Sequence, residues 1–378
     1  MVGFLVGNSY RMVFGRERVY KNHCLLFRGQ QMTKVYVGMS GGVDSSLSAA
    51  LLKEQGYDVT GVYMKNWTQD MPGMRCPWAD DLADAKRVAV QLGIDFKVFD
   101  FENEYKHKVV DYMIEEYKLG RTPNPDIMCN QEVKFKLFLE AALEDGADMI
   151  ATGHYARVED GVLKRARDDN KDQTYFLYRV TGDALKKTIF PLGGFTKPEV
   201  REMAKERGLF TAGKKDSQGI CFVGKIGIRE FLSQYVEQQP GKIIDKKTGS
   251  VLGAHDGAIF YTLGQRHGLD VGGGLPYYVV GKNMDKNEVY VTTDLEDTAL
   301  WKKTIDLTAV HWINGLPPEG EYLIRVRHRA PLVMAHLAAA ADGSVIFTLN
   351  EPERAVTAGQ SVVVYKDDAC LGGGIVAA

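Results

Sequence analysis

Lys34-Val35-Tyr36-Val37-Gly38-Met39 runs straight into Ser40-Gly41-Gly42-Val43-Asp44-Ser45-Ser46, and this junction decides the fold. The first six residues read as a buried strand. Residues 43–55 then carry the spacing of a helix. A glycine-rich turn between strand and helix lets the backbone come close to an anion. The N–H groups that open the helix, and its dipole, favour negative charge there. Ser40, Ser45 and Ser46 add hydroxyl donors. Asp44 is out of place in an anion site unless it binds a magnesium ion or orients a serine. The loop has no lysine where the pattern GxxxxGK[ST] puts one, so a γ-phosphate clamp of the kinase or GTPase kind is not expected. A plain glycine turn with a serine cap is the simplest account, but SGGxDS between strand and helix is far more specific than a lone pair of glycines.

The alternation continues outward from this loop. Residues 58–64 read as a strand, 79–92 as a helix stopped by Gly93, and 96–101 as a strand. Residues 104–119 and 133–144 read as helices, and 148–152 as a fourth strand. Strand–helix alternation of this kind predicts a doubly wound parallel α/β sheet, with its ligands beyond the carboxyl ends of the strands. After about Phe231 the pattern changes. Pro240-Gly241, Thr248-Gly249 and Gly272-Gly273-Gly274 punctuate short β-patterned segments. From Val289 onward strands are expected at 321–328, 332–339, 345–350 and 361–366, the spacing of a small barrel or sandwich.

The chain has 378 residues, 45% hydrophobic and 25% charged, an ordinary globular composition. That length exceeds one typical core, so two or three domains are expected. No apolar run reaches the roughly 20 residues that span a bilayer. The formal net charge of −2 leaves no global basic signature, so an RNA partner has to be held by local patches. The five cysteines are Cys24, Cys76, Cys129, Cys221 and Cys370. They are too sparse for a disulfide framework and form no CxxC pair for zinc or an iron–sulfur cluster, so no bound metal is expected. A reducing, cytoplasmic setting fits best. Residues 1–31 carry five basic residues against Glu17 alone. An upstream start with Met32 as the true initiator is the preferred reading, ahead of an organellar transit segment or a poorly ordered arm.

Two cysteines stand apart from apolar periods. Thr122-Pro123-Asn124-Pro125-Asp126-Ile127-Met128-Cys129-Asn130 carries two prolines that stiffen a loop around Asp126 and Cys129. Cys129 is expected just ahead of the helix that begins near Val133, where the dipole favours thiolate. Asp126 can accept or relay a proton. Cys221 lies in Lys214-Lys215-Asp216-Ser217-Gln218-Gly219-Ile220-Cys221-Phe222, with Lys225 beyond, a basic setting suited to a reactive thiolate. Cys24, Cys370 and Cys76 read as inert hydrophobes. The residues leave other readings open: an ATP-dependent ligase or synthetase of a small metabolite, which needs the anion loop but not the thiols, or an RNA-binding module without turnover.

The loop Ser40–Ser46 closely resembles the PP-loop of the ATP pyrophosphatases. With NPDxxCN at 124–130, ATGHYA at 151–156, KDQTYFLY at 171–178, DSQGICF at 216–222, YTLGQR at 261–266 and the stretch from Arg327 to Arg329 in this order, the chain from Lys34 onward is similar to the bacterial tRNA-specific 2-thiouridylases. The resemblance implies an extension (1–32), a doubly wound PP-loop ATP pyrophosphatase domain (33–230), a small central domain (231–290) and a C-terminal β-barrel (291–378). It implies ATP with Mg2+, cradled by Gly38, Met39, Ser40, Gly41, Gly42, Val43, Asp44 and Ser45, with Met64 and Gly153 lining the adenine pocket. ATP adenylates the 2-carbonyl oxygen of the wobble uridine. Cys221 carries a persulfide received from an upstream donor or carrier protein. Cys129 either frees sulfide from it or closes a disulfide with Cys221, and Asp126 is the acid/base. Asn124, Pro125 and Asp126 fall where the family meets the target base. His154, Lys171, Asp172, Gln173, Arg327, His328 and Gln360 fall where it meets tRNA. No membrane partner is implied. The barrel region from Val291 holds seven basic and eleven acidic residues, so its grip on RNA is expected from a few placed contacts around Arg325, Arg327 and Arg329.

Overall fold

The computed structural model describes residues 32–70, 76–216, 227–272, 274–339 and 344–378. The expected N-terminal extension, Cys24 and the Cys221 segment lie outside them. β1 (Lys34–Gly38) is nearly wholly buried, as its apolar run requires. It is the middle strand of a parallel five-stranded sheet with β2 (Asp58–Lys65), β3 (Asp95–Asp100), β4 (Met149–Thr152) and β7 (Thr188–Ile189), in the order β3-β2-β1-β4-β7. The chain winds outward to β3, then returns to the other side of β1. That reversal opens a crevice at the carboxyl ends of β1 and β4. Gly38 stands opposite Thr152 in register, so the loops after β1 and β4 start level with each other.

Helix α1 (Val43–Glu54) packs on this sheet with most of its residues buried. Helix α2 (Trp78–Leu92) ends at Gly93, which takes the left-handed conformation at φ +59°, the helix stop its position predicts. The helix expected from Val133 begins earlier. Asn124 Oδ1 accepts from the Asp126 and Ile127 amides at 3.1 and 3.4 Å, and Pro125 occupies the first turn. Helical winding then runs from Pro125 to Glu144, with a π-wound stretch over Cys129–Leu137. The sequence Pro-Asn-Pro, expected as a stiff loop, is therefore a helix start with an Asn cap and a proline behind it.

A hairpin that the alternation did not predict joins β5 (Arg157–Glu159) to β6 (Val162–Lys164). Its two turn residues, Asp160 and Gly161, have φ of +51° and +76°, the sign pattern of a tight hairpin turn. The central β8 (Gly241–Asp245), β9 (Val251–His255), β10 (Tyr278–Asn283) and β11 (Glu288–Thr292) form a four-stranded sheet over a core of Ile243, Tyr261, Leu269, Val279 and Val289.

The C-terminal part is a closed barrel. β12 (Trp301–Trp312), β15 (Val345–Arg354), β14 (Val333–Ala339), β13 (Gly320–Arg325), β16 (Ser361–Lys366) and β17 (Ala369–Val376) are neighbours in that order, and β12 pairs with β17 to close the ring. Closure leaves no edge within the ring. The strand expected over 321–328 stops at Arg325, because Ala330 N–H donates back to Arg327 O at 3.1 Å and Arg329 takes φ +62°. β6 pairs with β17 through Lys164 and Ala369, so the hairpin of the first domain extends the barrel sheet. One core serves both: Tyr175, Leu177 and Tyr178 cluster with Val363, Tyr365 and Cys370. Cys370 is buried there, its thiol pushed up by burial. No helix among the described residues is long and apolar enough to cross a membrane.

Candidate active site

The crevice is built first by glycine. Gly41 sits at φ +70°, and a Cβ there would lie 2.5 Å from Asp81 O. A Cβ on Gly153 would lie 2.8 Å from the Ser45 amide nitrogen, so the end of β4 rests against the first turn of α1. Gly153 thus sets the closeness of two loops as well as lining the cleft. Ser45 Oγ accepts from the Ser40 amide at 3.1 Å and lies 3.3 Å from Ser40 Oγ, which holds the loop closed on itself. Gly153→Ala is expected to destabilise the fold by about 1–3 kcal/mol, the usual cost of overpacking, and to reduce nucleotide affinity more than other substrate affinity. Thermal melts and nucleotide titration of the variant check both.

Asp44, odd in an anion loop, turns out to be neutralised. Lys197 Nζ lies 2.7 Å from its Oδ1, and Tyr155 OH donates to the same carboxylate at 2.8 Å. Lys197 also reaches Asp216 at 2.9 Å. Asp216 is further held by Lys171 at 2.7 Å and Arg201 at 2.6 Å. Burial alone would raise the Asp216 carboxyl; the ammonium groups of Lys171 and Lys197 overcome it and hold the group at about 2. Lys214 pairs with Asp81 and Asp84 on α2. Lys197 escaped the sequence reading. The signal was there: it opens the helix Lys197–Glu206, where a cation opposes the dipole, so a lysine at that position asks for another partner. Among the described residues no three His, Cys, Asp or Glu side chains gather as a metal site. With Asp44 committed to Lys197, the donor set does not fit magnesium held by the protein alone.

Around this loop opens a cleft of about 470 Å³. Gly38 to Ser40, Gly42 to Ser45, Met64 and Gly153 line it, together with Asp126, Asn130, Lys134, His154, Phe176, His328 and Arg329. Asp126 and Asn130 are four residues apart on one helical run and so share a face. Burial raises the Asp126 carboxyl, and Lys134 opposes that rise. Cys129, between them, is not in a polar loop: it is 1% exposed, within the apolar cluster of Ile127 and Val133. The correction comes from the early helix start, which turns residue 129 inward. Cys76, read as inert core, is half-buried and lines the same cleft. Its thiol is pushed up by burial, against a backbone hydrogen bond from Trp78.

The other candidate residues divide. His154 is buried, with Nδ1 2.7 Å from Thr152 Oγ1, and burial holds it well below the usual histidine range. His328 packs on Phe176 at 4.4 Å between ring centres, and burial, with Arg329 and Arg325 beside it, takes it down to about 4. Lys171 and Gln173 line the cleft. Asn124 Oδ1 is used as a helix cap, and Pro125 is buried. Asp172 and Arg325 are both buried and paired with each other at 3.2 Å, so Arg325 does not join Arg327 and Arg329 on an exposed face. Arg327 is exposed and pairs with Glu353 at 3.7 Å. Gln360 sits in the turn before β16, its carbonyl accepting from Val376 N–H, away from the cleft lining.

Both histidines bind protons less readily in the folded chain than in the unfolded one. Stability is therefore expected to fall as pH drops from about 6.5 through the folded value near 4 of His328. Melts between pH 7.5 and 5 check this, and His328→Gln should remove part of the slope.

The family profile described as the tRNA methyl transferase HUP domain matches residues 33–225. The tRNA methyl transferase PRC-barrel domain matches 229–293, and the aminomethyltransferase beta-barrel domain 302–376. Among curated proteins, the tRNA-specific 2-thiouridylase MnmA of Geobacillus thermodenitrificans (strain NG80-2) is 49% identical over 351 residues, 91% of this chain and 94% of that protein. The tRNA-specific 2-thiouridylase MnmA 2 of Geobacillus kaustophilus (strain HTA426) is 50% identical over the same shares. That of Bacillus cereus (strain ATCC 10987 / NRS 248) is 48% identical, again over 91% and 94%. The profile descriptions speak of methyl transfer, but identity of this degree along nearly the full length of both chains decides the assignment: the chain belongs to the tRNA-specific 2-thiouridylase family.

Proposed function

We propose that this protein catalyses ATP-dependent 2-thiolation of the wobble uridine of tRNA, releasing AMP and pyrophosphate. The observation that carries the reading is convergence: the glycine–serine loop and Asp126 face one cleft, and Cys129 lies on the same helical turn as Asp126. The uridine 2-carbonyl oxygen attacks the α-phosphorus of ATP, and the bond to the β-phosphate breaks. The terminal sulfur of a Cys221 persulfide then attacks C2, and AMP leaves with the former carbonyl oxygen. Cys129 thiolate attacks the Cys221 sulfur, which leaves the thiocarbonyl on the base and a Cys129–Cys221 disulfide for an external thiol to reduce. In the other order, Cys129 cleaves the persulfide first and free sulfide attacks C2. Magnesium, when bound with the nucleotide, screens its phosphate charge.

The protein's own part is to place and balance charge. The loop amides and serine hydroxyls meet phosphate. Lys197 offsets Asp44 so that the loop does not repel it. Burial, opposed by Lys134, raises the Asp126 carboxyl, and from the cleft wall it is placed to act as the acid/base at the target base. The target base has to leave its stack to enter the cleft, at a cost of a few kcal/mol. The test is purified protein with unmodified tRNA, ATP-Mg and a persulfide donor, wild type against Cys221→Ser. Thiouridine from wild type and its loss in the variant support the proposal. Pyrophosphate release without thiouridine, unchanged by the substitution, moves the protein to a small-metabolite synthetase.

A further inference from the structure

Asp172 sits between two residues that line the cleft, Lys171 and Gln173, yet its own side chain is 0% exposed. Its carboxylate accepts from the amides of Ala166 at 3.2 Å and Thr174 at 3.3 Å, from Thr174 Oγ1 at 3.0 Å, and from Arg325 at 3.2 Å. Arg165 approaches at 3.7 Å. Arg325 is the last residue of β13, buried over the Tyr365 ring. It is 153 residues from Asp172 in sequence, so this pair joins the barrel to the first domain.

Beyond Arg325 the chain turns and carries the barrel into the cleft. His328 rests on Phe176, four residues past Asp172, and Arg329 lines the cleft mouth. Arg329 holds φ +62°, a conformation that a non-glycine residue keeps only when its surroundings impose it. Its guanidinium is exposed and pairs with no carboxylate among the described residues. The barrel around it is acidic overall, and the neighbouring His328 is neutral near pH 7. Arg329 is thus a placed cation rather than part of a basic field, and its surroundings offer it to an anion that arrives with the substrate.

We propose that Asp172 is a positioning residue. Through its buried pair with Arg325 it fixes the turn that presents Arg329 to an RNA backbone phosphate beside the nucleotide entering the cleft. This rests on the thiolation reading. The barrel then completes the active site, and KDQ is not a uniform RNA-contacting tripeptide: Lys171 and Gln173 face the cleft while Asp172 holds the wall.

The test is a double-substitution cycle in the full-length protein with Asp172→Asn, Arg329→Gln and both together, reading KM for tRNA, KM for ATP and the salt dependence of tRNA binding. Each single substitution is expected to raise KM for tRNA about tenfold and to lower the salt slope by about one, the mark of one lost phosphate contact. KM for ATP should stay unchanged, and the double variant should be no worse than either single. Additive losses, or an unchanged salt slope with Asp172→Asn, overturn the positioning role. A raised KM for ATP with unchanged KM for tRNA overturns the assignment to RNA phosphate. If Asp172→Asn does not fold, the same cycle runs on Arg325→Lys, which keeps the cation and lacks the planar fork. A wild type that forms no thiouridine sinks the thiolation reading itself. Additive effects in an active wild type sink only the role of Asp172.

Discussion

Lys197→Met is expected to lower pyrophosphate release by on the order of a hundredfold or more. The substitution removes the cation that offsets Asp44 inside the phosphate loop. An uncompensated carboxylate about 4 Å from an incoming phosphate costs about 4 kcal/mol at an effective dielectric near 20, and each 1.4 kcal/mol is a factor of ten. Solvent relaxation and the Tyr155 hydroxyl, which still donates to Asp44, reduce this to the lower bound stated. Stability should fall too, by about 3 kcal/mol, because the Lys197 side chain is only 10% exposed and its loss leaves two carboxylates short of a partner. Lys197→Met with Asp44→Asn should recover much of the melting temperature, since one charge is then removed with the other. Unchanged pyrophosphate release in a folded Lys197→Met protein refutes the role assigned to Lys197.

Cys129→Ser is expected to cut thiouridine formation about a thousandfold or more, the scale on which an attacking group counts, while tRNA-dependent pyrophosphate release continues. Adenylation uses the phosphate loop and the base, and neither needs the thiol. The cysteine is packed among apolar side chains, so a serine hydroxyl there adds a desolvation cost of about 1–3 kcal/mol. Cys129→Ala avoids that cost and separates chemistry from folding: both variants should be equally inactive, with the alanine one more stable. Thiouridine at wild-type rate from either variant removes Cys129 from the mechanism.

The strand–turn–helix at Lys34–Ser46 was readable because its information is local. An apolar run, a glycine turn and a helical period sit in consecutive residues, and their repetition implies the parallel sheet. β17 was not readable. Gly372-Gly373-Gly374 looks like a turn, and its purpose appears only once His311 O and Val362 O press within 2.2 and 2.1 Å of where Cβ atoms would be. β12 escaped because its burial alternates irregularly, one bulged strand serving two partners. At the site, the loop glycines and serines were legible by type and spacing. Asp172 and Arg325 were expected among the residues that meet RNA, and their pairing was hidden because each one's partner lies 153 residues away. Cys129 looked loop-bound because two prolines hid a helix cap. Local chemistry reads from local sequence; a residue whose meaning is a distant partner does not.

The last strand of the chain carries a consequence for its birth. β17 pairs with β16, β12 and the hairpin of the first domain, and Tyr365 and Cys370 cover the aromatic residues Tyr175 and Tyr178. A ribosome makes the nucleotide loop long before the surface that shields those tyrosines, because Ser46 precedes Tyr365 by more than 300 residues. While the residues between Tyr178 and Tyr365 are made, the nascent chain therefore holds an uncovered aromatic face, of the kind that draws chaperones or neighbours. A chain that stops before β16 leaves the first domain unfinished, because the wall over Tyr175 and Tyr178 comes from β16 and β17.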